Sequence, residues 1–285
     1  MGGSLHSMSE TLRDRALGDS VGACLGEHLG PGASSNSSMI LAYHEISAQP
    51  SNYIYAVSVR QFEEHLRMSS ELCGGEQAKI PVPVVTFDDG HISNYRYALP
   101  LLAKYSRRAI FFVTVGWAGV RDEFMNWSQL RHLVMLGHGV ASHGWSHIPL
   151  TRCTPAEARE ELRRSKLTLE DKLGIAAEDV SFPHGRWDRS VLGLCADLGY
   201  RRVYTSNPWV PLRKQDGVEL LGRLMMRRTI CAAQFRRLLT LGRTGRAIRR
   251  AEYEAKEVLR RILGDKTYHR LWGLMAGRYD PDAMK

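Results

Sequence analysis

The sequence has no long apolar segment, and this excludes a membrane-spanning helix. Such a helix needs about 20 consecutive, mainly apolar residues, and no run of that length occurs among the 285 residues, although 44% of them are hydrophobic. The first twenty residues also lack the apolar stretch of a signal peptide. The sequence therefore predicts a cytoplasmic location.

Cysteines are few and are not arranged for disulfide or zinc chemistry. The chain has 5 cysteines, an odd number, and none of them forms a C-x-x-C pair. We interpret them as free thiols in a reducing compartment.

Acidic residues are scarce in the C-terminal part of the chain. Residues 227–285 contain 15 Lys and Arg against 6 Asp and Glu, a surplus of 9 that equals the net charge of the whole chain. Apolar positions between 246 and 264 follow a helical period, with basic residues elsewhere on the helix. Such a helix either packs on the preceding domain or lies on an anionic membrane, which would place the protein peripherally at the inner membrane face. No recognition motif accompanies the charge, so no nucleic-acid partner is expected.

Short apolar strands alternate with amphipathic helices from residue 39 onward. The strand-like segments are MILAYHEI, PVPVVTF, AIFFVTV, GHGVASH, DVSFPHG and RRVYTS. Among the helices between them, one begins after Ser58, which with Gln61 has the spacing of a capping box, and another runs from the Thr154 cap to Gly174. This alternation predicts an α/β fold with parallel strands and crossover helices.

The composition divides the chain into three parts. Residues 1–38 end in small and polar residues and are interpreted as a flexible N-terminal segment. Residues 39–232 form the predicted catalytic domain, and residues 233–285 form a basic helical C-terminal extension.

Polar residues follow several predicted strands at their C-terminal ends. Asp88 and Asp89 end the second strand, His143 follows the fourth, His184 follows the fifth, and His44 lies near the end of the first. Functional residues of barrels built from parallel strands lie at this end. We expect these side chains to converge on one site.

Two histidines and a carboxylate could form a metal site there. His143 and His147 are four residues apart and can present both imidazoles to one ion, and a carboxylate of the Asp88–Asp89 pair would complete a set that suits zinc or another first-row divalent metal. The other carboxylate could then take a proton from water acidified by the metal. Each pattern alone also fits an ordinary surface: DDG is a common turn, and H-x-x-x-H occurs by chance.

Three motifs together are more specific. TFDDG at 86–90, SHGWSH at 142–147 and SFPHG at 181–185 resemble the ordered motifs of the polysaccharide deacetylases, the NodB-homology group of carbohydrate esterases. The resemblance extends roughly from residue 39 to residue 230. It implies a distorted (β/α) barrel that hydrolyses the N-acetyl group of an amino sugar, in a polysaccharide or a lipid-linked glycan precursor.

The resemblance also implies a role for each motif residue. Asp89, His143 and His147 would bind the metal, most simply Zn²⁺, and Asp88 would be the catalytic base. The backbone N–H of His184 would donate to the oxyanion that forms during hydrolysis.

Two features depart from the family pattern. The third motif lacks the arginine that many members carry before its proline, and no late L-x-H motif follows to supply a general acid. Leu41 and His44 resemble that L-x-H motif, as in a subgroup in which the acid-bearing strand is permuted to the front of the domain. His44 is therefore the predicted general acid, although a buried strand histidine could also be a core residue.

Other assignments stay open at this stage. His91 could line the site or add a metal ligand, His138 has no assigned role, and Trp145 could support the site or stack on a sugar. The same metal site would also serve an amidase that acts on a non-sugar amide. A non-catalytic carbohydrate-binding barrel is the third reading, favoured by the absent arginine and opposed by the retention of both aspartates and both histidines.

Overall fold

The computed structural model describes residues 39–73, 80–208 and 213–263. The strands are β1 (Ile40–Tyr43), β2 (Glu45–Ser47), β3 (Ala56–Ser58), β4 (Val84–Phe87), β5 (Ala109–Val113), β6 (Gly139–Ser142), β7 (Asp179–Ser181), β8 (Arg202–Thr205), β9 (Arg213–Gln215), β10 (Val218–Gly222) and β11 (Leu224–Met225). The helices are α1 (Val59–Cys73), α2 (Leu99–Lys104), α3 (Trp127–Met135), α4 (Pro155–Leu173), α5 (Arg189–Asp197), α6 (Ala232–Leu239) and α7 (Arg243–Leu263). Among the helices of these segments, none combines the length and apolar character that a membrane span requires.

The central sheet has nine strands in the order β11, β1, β4, β5, β6, β7, β8, β10, β9. All neighbouring strands pair in parallel except β9, which is antiparallel to β10. The parallel α/β architecture predicted from the alternating pattern is confirmed. Because the strands are parallel, their C-terminal ends lie along one rim of the sheet.

The sheet curves into a barrel because one short stretch of chain reaches both of its sides. Strand β10 pairs with β8, whereas β11 pairs with β1, and only Arg223 separates β10 from β11. The chain therefore passes at Arg223 from the β8 side to the β1 side. The barrel interior is filled by alternating strand residues, namely Ile40, Val84, Ile110, Phe112, Ala141, Tyr204 and Leu221.

Helices cover the outer face of the strands. Phe87 and Phe111 stack with ring centroids 4.9 Å apart, and they share the largest buried cluster with Phe62 of α1. Helix α6 joins the same cluster, because Phe235 is fully buried and stacks on His65 of α1 at 4.0 Å. Packing thus continues past residue 232, and the domain boundary placed there stays a prediction.

Local sequence signals predicted most of the helices. Thr154 and Glu157 form a reciprocal capping box, and Gly174 ends α4 in the left-handed conformation, as the sequence predicts. At α1 only half of the predicted box forms: the Ser58 hydroxyl accepts from the Gln61 N–H, but the Gln61 side chain donates to the Ile230 carbonyl at 2.7 Å.

Some elements were not predicted, and some predictions cannot be compared. Helices α3 and α6 and strands β3 and β9 to β11 were not anticipated, and the strand predicted for MILAYHEI is divided into β1 and β2, which belong to different sheets. Helix α7 matches the helix expected between residues 246 and 264. The flexible segment predicted for residues 1–38 and the second tail helix predicted for TYHRLWGLM lie outside the described residues.

Candidate active site

Asp89, His143 and His147 converge at the C-terminal rim of the barrel. Asp89 follows β4 and His143 follows β6, so the strand order places them close together. The Nε2 atoms of His143 and His147 lie 3.3 Å and 3.0 Å from Asp89 Oδ1. One ligand atom from each residue falls within 4.8 Å of the other two. The three predicted ligands are therefore close enough to share one ion.

The hydrogen bonds of His143 indicate that a cation suits this cluster. His143 Nδ1 lies 3.1 Å from the Ser181 carbonyl oxygen, which can only accept, so Nδ1 is the donor, and the other nitrogen of a neutral ring would present its lone pair to Asp89. The buried Asp89 Oδ1 has no hydrogen-bond donor of standard geometry within the described chain. Two facing lone pairs need a positive charge between or beside them. The donor set and the orphaned oxygen thus fit a divalent metal.

A proton on either imidazole would supply the same charge. Burial opposes ionisation of Asp89, but its contacts with His143 and His147 hold the pKa of Asp89 well below its usual value. The carboxylate is therefore ionised at neutral pH in either case, as a metal ligand must be.

Three residues of the site have a strained backbone. Asp89, His147 and His184 adopt φ values of 70°, 63° and 58°, in the left-handed region that residues with a side chain rarely occupy. Each such conformation costs of order 1–3 kcal/mol and is kept where the surrounding structure enforces it, often at functional sites. The strain thus coincides with the residues that the motifs single out.

Asp88 lies beside the cluster and is paired with a buried arginine. Arg223 is fully buried, and its two terminal nitrogens lie 2.6 Å and 2.7 Å from the two oxygens of Asp88. Burial alone would raise the pKa of Asp88, but Arg223 and His143 outweigh it and keep that pKa below its usual value. Asp88 is therefore an ionised carboxylate inside the barrel rim.

Sequence reasoning missed Arg223. The one available signal is that Arg223 is the only charged residue in the apolar stretch LLGRLMM, where a buried charge needs a partner. The third motif has no arginine, but Arg223 supplies one to the site.

Ser181 links His143, which faces Asp89, to Asp88. Its hydroxyl donates to Asp88 Oδ1 at 3.2 Å and lies 2.5 Å from His143 Nδ1, from which it can accept. A continuous path of hydrogen bonds therefore runs from the His143 imidazole through Ser181 to Asp88. This path fixes both the tautomer of His143 and the orientation of Asp88.

His44 joins the same site from β1. Its Nδ1 atom is buried without a hydrogen-bond partner in the described residues, and its ring stacks on Tyr55 at 4.9 Å. Burial lowers the pKa of His44, partly opposed by the charges of Asp89 and Asp88. The resting imidazole is thus neutral at pH 7, with one polar atom left for another partner.

His184 borders the cluster on a third side. Its ring centroid lies 5.1 Å from that of His147, and it is the second residue of the 3-10 turn Pro183–Gly185. The backbone N–H at such a position is not used by the turn itself. The predicted role of this N–H as an oxyanion donor stays a prediction.

The residues left open by the sequence lie outside the cluster of Asp89, His143 and His147. His91 Nδ1 lies 2.7 Å from the Ser93 hydroxyl, and His138 is buried below the rim, where its Nδ1 accepts from the Ala109 N–H at 3.2 Å. Trp145 is half-buried with its ring beneath the Arg164 guanidinium, 3.7 Å away. Among them, only Trp145 belongs to the loop that carries the two histidines.

Aromatic residues that the sequence analysis did not identify surround the site. Tyr53 contacts Tyr55 edge to face at 5.6 Å, and burial together with the nearby charge of Asp89 raises the pKa of Tyr53. On another side, the Trp117 ring lies 5.1 Å from His147. Partly exposed aromatic rings beside a polar centre can pack on the apolar face of a ligand.

Comparison with known proteins finds relatives of this chain in sequence and in fold. The sequence profile described as polysaccharide deacetylase matches residues 75–203. The Bacillus subtilis protein YxkH is 27% identical over 192 residues, which cover 62% of this chain and 67% of the relative. A chitooligosaccharide deacetylase of Bradyrhizobium is 30% identical over 124 residues, covering 43% of this chain and 54% of the relative. The chain thus spans about half the length of that enzyme.

The fold is also found in solved structures. The structure of IcaB from Ammonifex degensii superposes with a TM-score of 0.61 at 22% identity, covering 72% of this chain and 98% of the other. At this level of identity the likeness concerns the fold alone. Residues 75–203 of the chain match the polysaccharide deacetylase family in sequence.

Proposed function

We propose that this protein is a metal-dependent hydrolase that removes N-acetyl groups from an amino sugar in a polysaccharide or a lipid-linked glycan precursor. The observation that carries the proposal is the pairing of two carboxylates with separate surroundings. Asp89 faces two imidazoles with an orphaned oxygen, whereas Asp88 is held ionised by Arg223. Asp89 thus lies in surroundings that suit a metal ligand, and the adjacent Asp88 in surroundings that suit a catalytic base.

The proposed reaction adds water to the acetamide carbonyl and breaks the C–N bond, giving acetate and a free amine. A divalent ion held by Asp89, His143 and His147, with Zn²⁺ the first candidate, would acidify a bound water and polarise the carbonyl. Asp88 then takes the proton of the attacking water at a carboxylate oxygen, and the His184 N–H donates to the developing oxyanion.

His44 completes the proposal as the proton donor to the leaving nitrogen. Because its resting imidazole is neutral, it must first take up a proton before it can give one. Its Nδ1 has no hydrogen-bond partner among the described residues and is therefore free to hold a proton. Replacement of His44 by alanine should therefore lower turnover while leaving metal affinity nearly unchanged.

Elemental analysis of the purified protein tests the metal site. The wild type, Asp89→Ala and His143→Ala are each exposed to Zn²⁺ and freed of excess metal, and acetate release from N-acetylglucosamine oligomers is then measured. We expect about one ion per chain in the wild type, no ion in either variant, and acetate release only from the wild type.

His91→Ala is the matched control, since His91 directly follows the motif that contains Asp88 and Asp89 but contacts Ser93. It should keep its metal. A wild type without stoichiometric metal would reject the proposal in favour of a non-catalytic carbohydrate-binding barrel. Bound metal with hydrolysis of small amides, but none of N-acetylhexosamines, would select the amidase.

We also propose that the substrate is reached from the cytoplasmic face of an anionic membrane. Helix α7 has seven basic and three acidic residues, and Ile248, Val258 and Ile262 on one side of it are 56%, 54% and 75% exposed. An exposed apolar stripe on a basic helix suits an anionic lipid surface.

Vesicle co-sedimentation tests this contact. The wild type should bind phosphatidylglycerol-containing vesicles and not phosphatidylcholine vesicles, and Ile248→Ser combined with Ile262→Ser should weaken the binding severalfold. Equal sedimentation with both kinds of vesicle, or with neither, would reject the membrane contact and leave the deacetylase proposal intact.

A further inference from the structure

The loop that carries both candidate ligand histidines is clamped from two sides. Two of its carbonyl oxygens accept hydrogen bonds from the 3-10 turn Val115–Trp117: Val115 N–H donates to Gly144 O at 3.1 Å, and Gly116 N–H donates to Trp145 O at 2.8 Å. The N–H groups of Trp145 and Ser146 in the same loop point the other way, toward helix α4. The main chain between the two histidines is thus held on opposite sides by different elements.

On the side that faces α4, the loop donates three hydrogen bonds to the carboxylate of Glu161. Glu161 Oε2 accepts from the N–H groups of Trp145 at 3.1 Å and Ser146 at 2.9 Å, and Oε1 accepts from the Ser146 hydroxyl at 2.8 Å. Arg164, one turn further along the same helix, covers the Trp145 ring at 3.7 Å. Helix α4 itself begins at a capping box and is therefore well anchored.

We infer that Glu161 is a positioning residue for the metal site, acting through the loop Gly144–His147. This inference rests on the proposed function only in assuming that the cluster binds a metal. His147 must keep a left-handed backbone, with φ of 63°, for its Nε2 to lie 3.0 Å from Asp89. Without Glu161, two part-buried N–H groups lose their acceptor, and the loop can relax to a less strained conformation that withdraws His147.

The inference predicts a graded effect on metal affinity. Outer residues that orient metal ligands typically change affinity by about 10- to 100-fold when they are replaced. Glu161→Ala should weaken binding of Zn²⁺ alone by at least about 10-fold. Glu161→Gln should stay within a few-fold of the wild type, because its amide oxygen can accept from both N–H groups and its NH₂ can donate to the Ser146 hydroxyl.

The experiment is a Zn²⁺ titration in competition with a chromophoric chelator, without substrate, on full-length protein. Glu160→Ala is the matched control, because Glu160 neighbours Glu161 but pairs with Arg163 at the surface. Ser146→Ala removes one of the three hydrogen bonds, should give a smaller loss, and serves if Glu161→Ala does not fold by circular dichroism.

Rescue by glutamine separates positioning from general damage to the fold. Weak binding by Glu161→Ala or Ser146→Ala, with wild-type binding by Glu161→Gln and Glu160→Ala, supports the inference. Wild-type affinity in Glu161→Ala overturns the inference. If Glu161→Ala does not fold, wild-type affinity in Ser146→Ala overturns it instead. The inference also fails if Glu161→Gln binds Zn²⁺ as weakly as the alanine variant. No Zn²⁺ binding by the wild type would instead reject the metal site and, with it, both proposals.

Discussion

At the scale of single residues, Arg223 keeps the buried Asp88 carboxylate ionised. Asp88 is almost completely enclosed, and without Arg223 a carboxylate there would take up a proton and lose its value as a base. The bidentate contact with Arg223 therefore does more than neutralise charge. It decides the protonation state on which the proposed hydrolysis depends.

Replacement of Arg223 by methionine should destabilise the fold and change the pH profile. Removing one partner of a buried ion pair costs about 3–5 kcal/mol, because the other charge is left buried. The pKa of Asp88 should rise, so the acidic limb of kcat/KM should move to higher pH. Urea unfolding and a pH–rate profile measure the two effects.

A double variant provides the control for this prediction. Asp88→Asn combined with Arg223→Met removes both charges and should be more stable than Arg223→Met alone. An unshifted acidic limb in Arg223→Met would show that Arg223 does not control the ionisation of Asp88.

Residues with local signals could be predicted, whereas those defined by tertiary contacts could not. Asp89, His143 and His147 stand in motifs at strand ends, and the structure brings these three together as expected. Arg223 reaches Asp88 across 135 positions of sequence, and no local pattern encodes that distance. Tyr53 was missed for the same reason.

At the scale of secondary structure elements, α6 stabilises the first helix of the domain. Phe235 is fully buried against His65 of α1, which in turn contacts the Tyr43 hydroxyl through Nδ1 at 3.0 Å. Tyr43 is the last residue of β1 and directly precedes His44. Packing at α6 is thus linked to the β1 side of the site.

Phe235→Ala should lower the free energy of unfolding by about 3–5 kcal/mol, because it opens a cavity among large side chains. Urea unfolding monitored by circular dichroism measures this loss. Arg236→Ala, on the exposed side of the same helix, should change the stability by less than about 0.5 kcal/mol. Similar stabilities for the two variants would show that α6 does not support the domain.

Strand and helix predictions succeeded or failed for physical reasons. The six strands from β1 to β8 that line the barrel are apolar runs, and such runs are visible in the sequence. Strand β9 (RKQ) has no apolar residue, β10 (VELLG) carries a charge, and β11 has only two residues, so their identity depends on pairing with distant strands.

At the scale of the whole molecule, buried neutral histidines make stability depend on pH. Burial lowers the pKa of His65 and of His138 to about 4 each. Because the folded-state pKa lies below the unfolded value of about 6.5, the unfolded state binds protons first as the pH falls. The stability that these residues contribute is complete above pH 6.5 and is lost as the pH falls toward about 4.

His138→Asn should therefore reduce the acid sensitivity of the fold. Each of the two histidines accounts for about 2 kcal/mol of stability lost between pH 7 and pH 5. The asparagine oxygen can still accept from the Ala109 N–H, in place of His138 Nδ1. Urea unfolding at both pH values should show a pH-dependent loss smaller by about 2 kcal/mol than that of the wild type; an equal loss would contradict the prediction.

The position of Arg223 also sets the order in which the site can be completed during synthesis. Every motif residue between 86 and 185 leaves the ribosome before Arg223, which both joins the two sides of the barrel and holds Asp88. A nascent chain that already carries Asp89, His143 and His147 thus has Asp88 without its arginine partner. We therefore expect the proposed hydrolysis to require the last strands, so that a prematurely ended chain is inactive even when all its recognisable motifs are present.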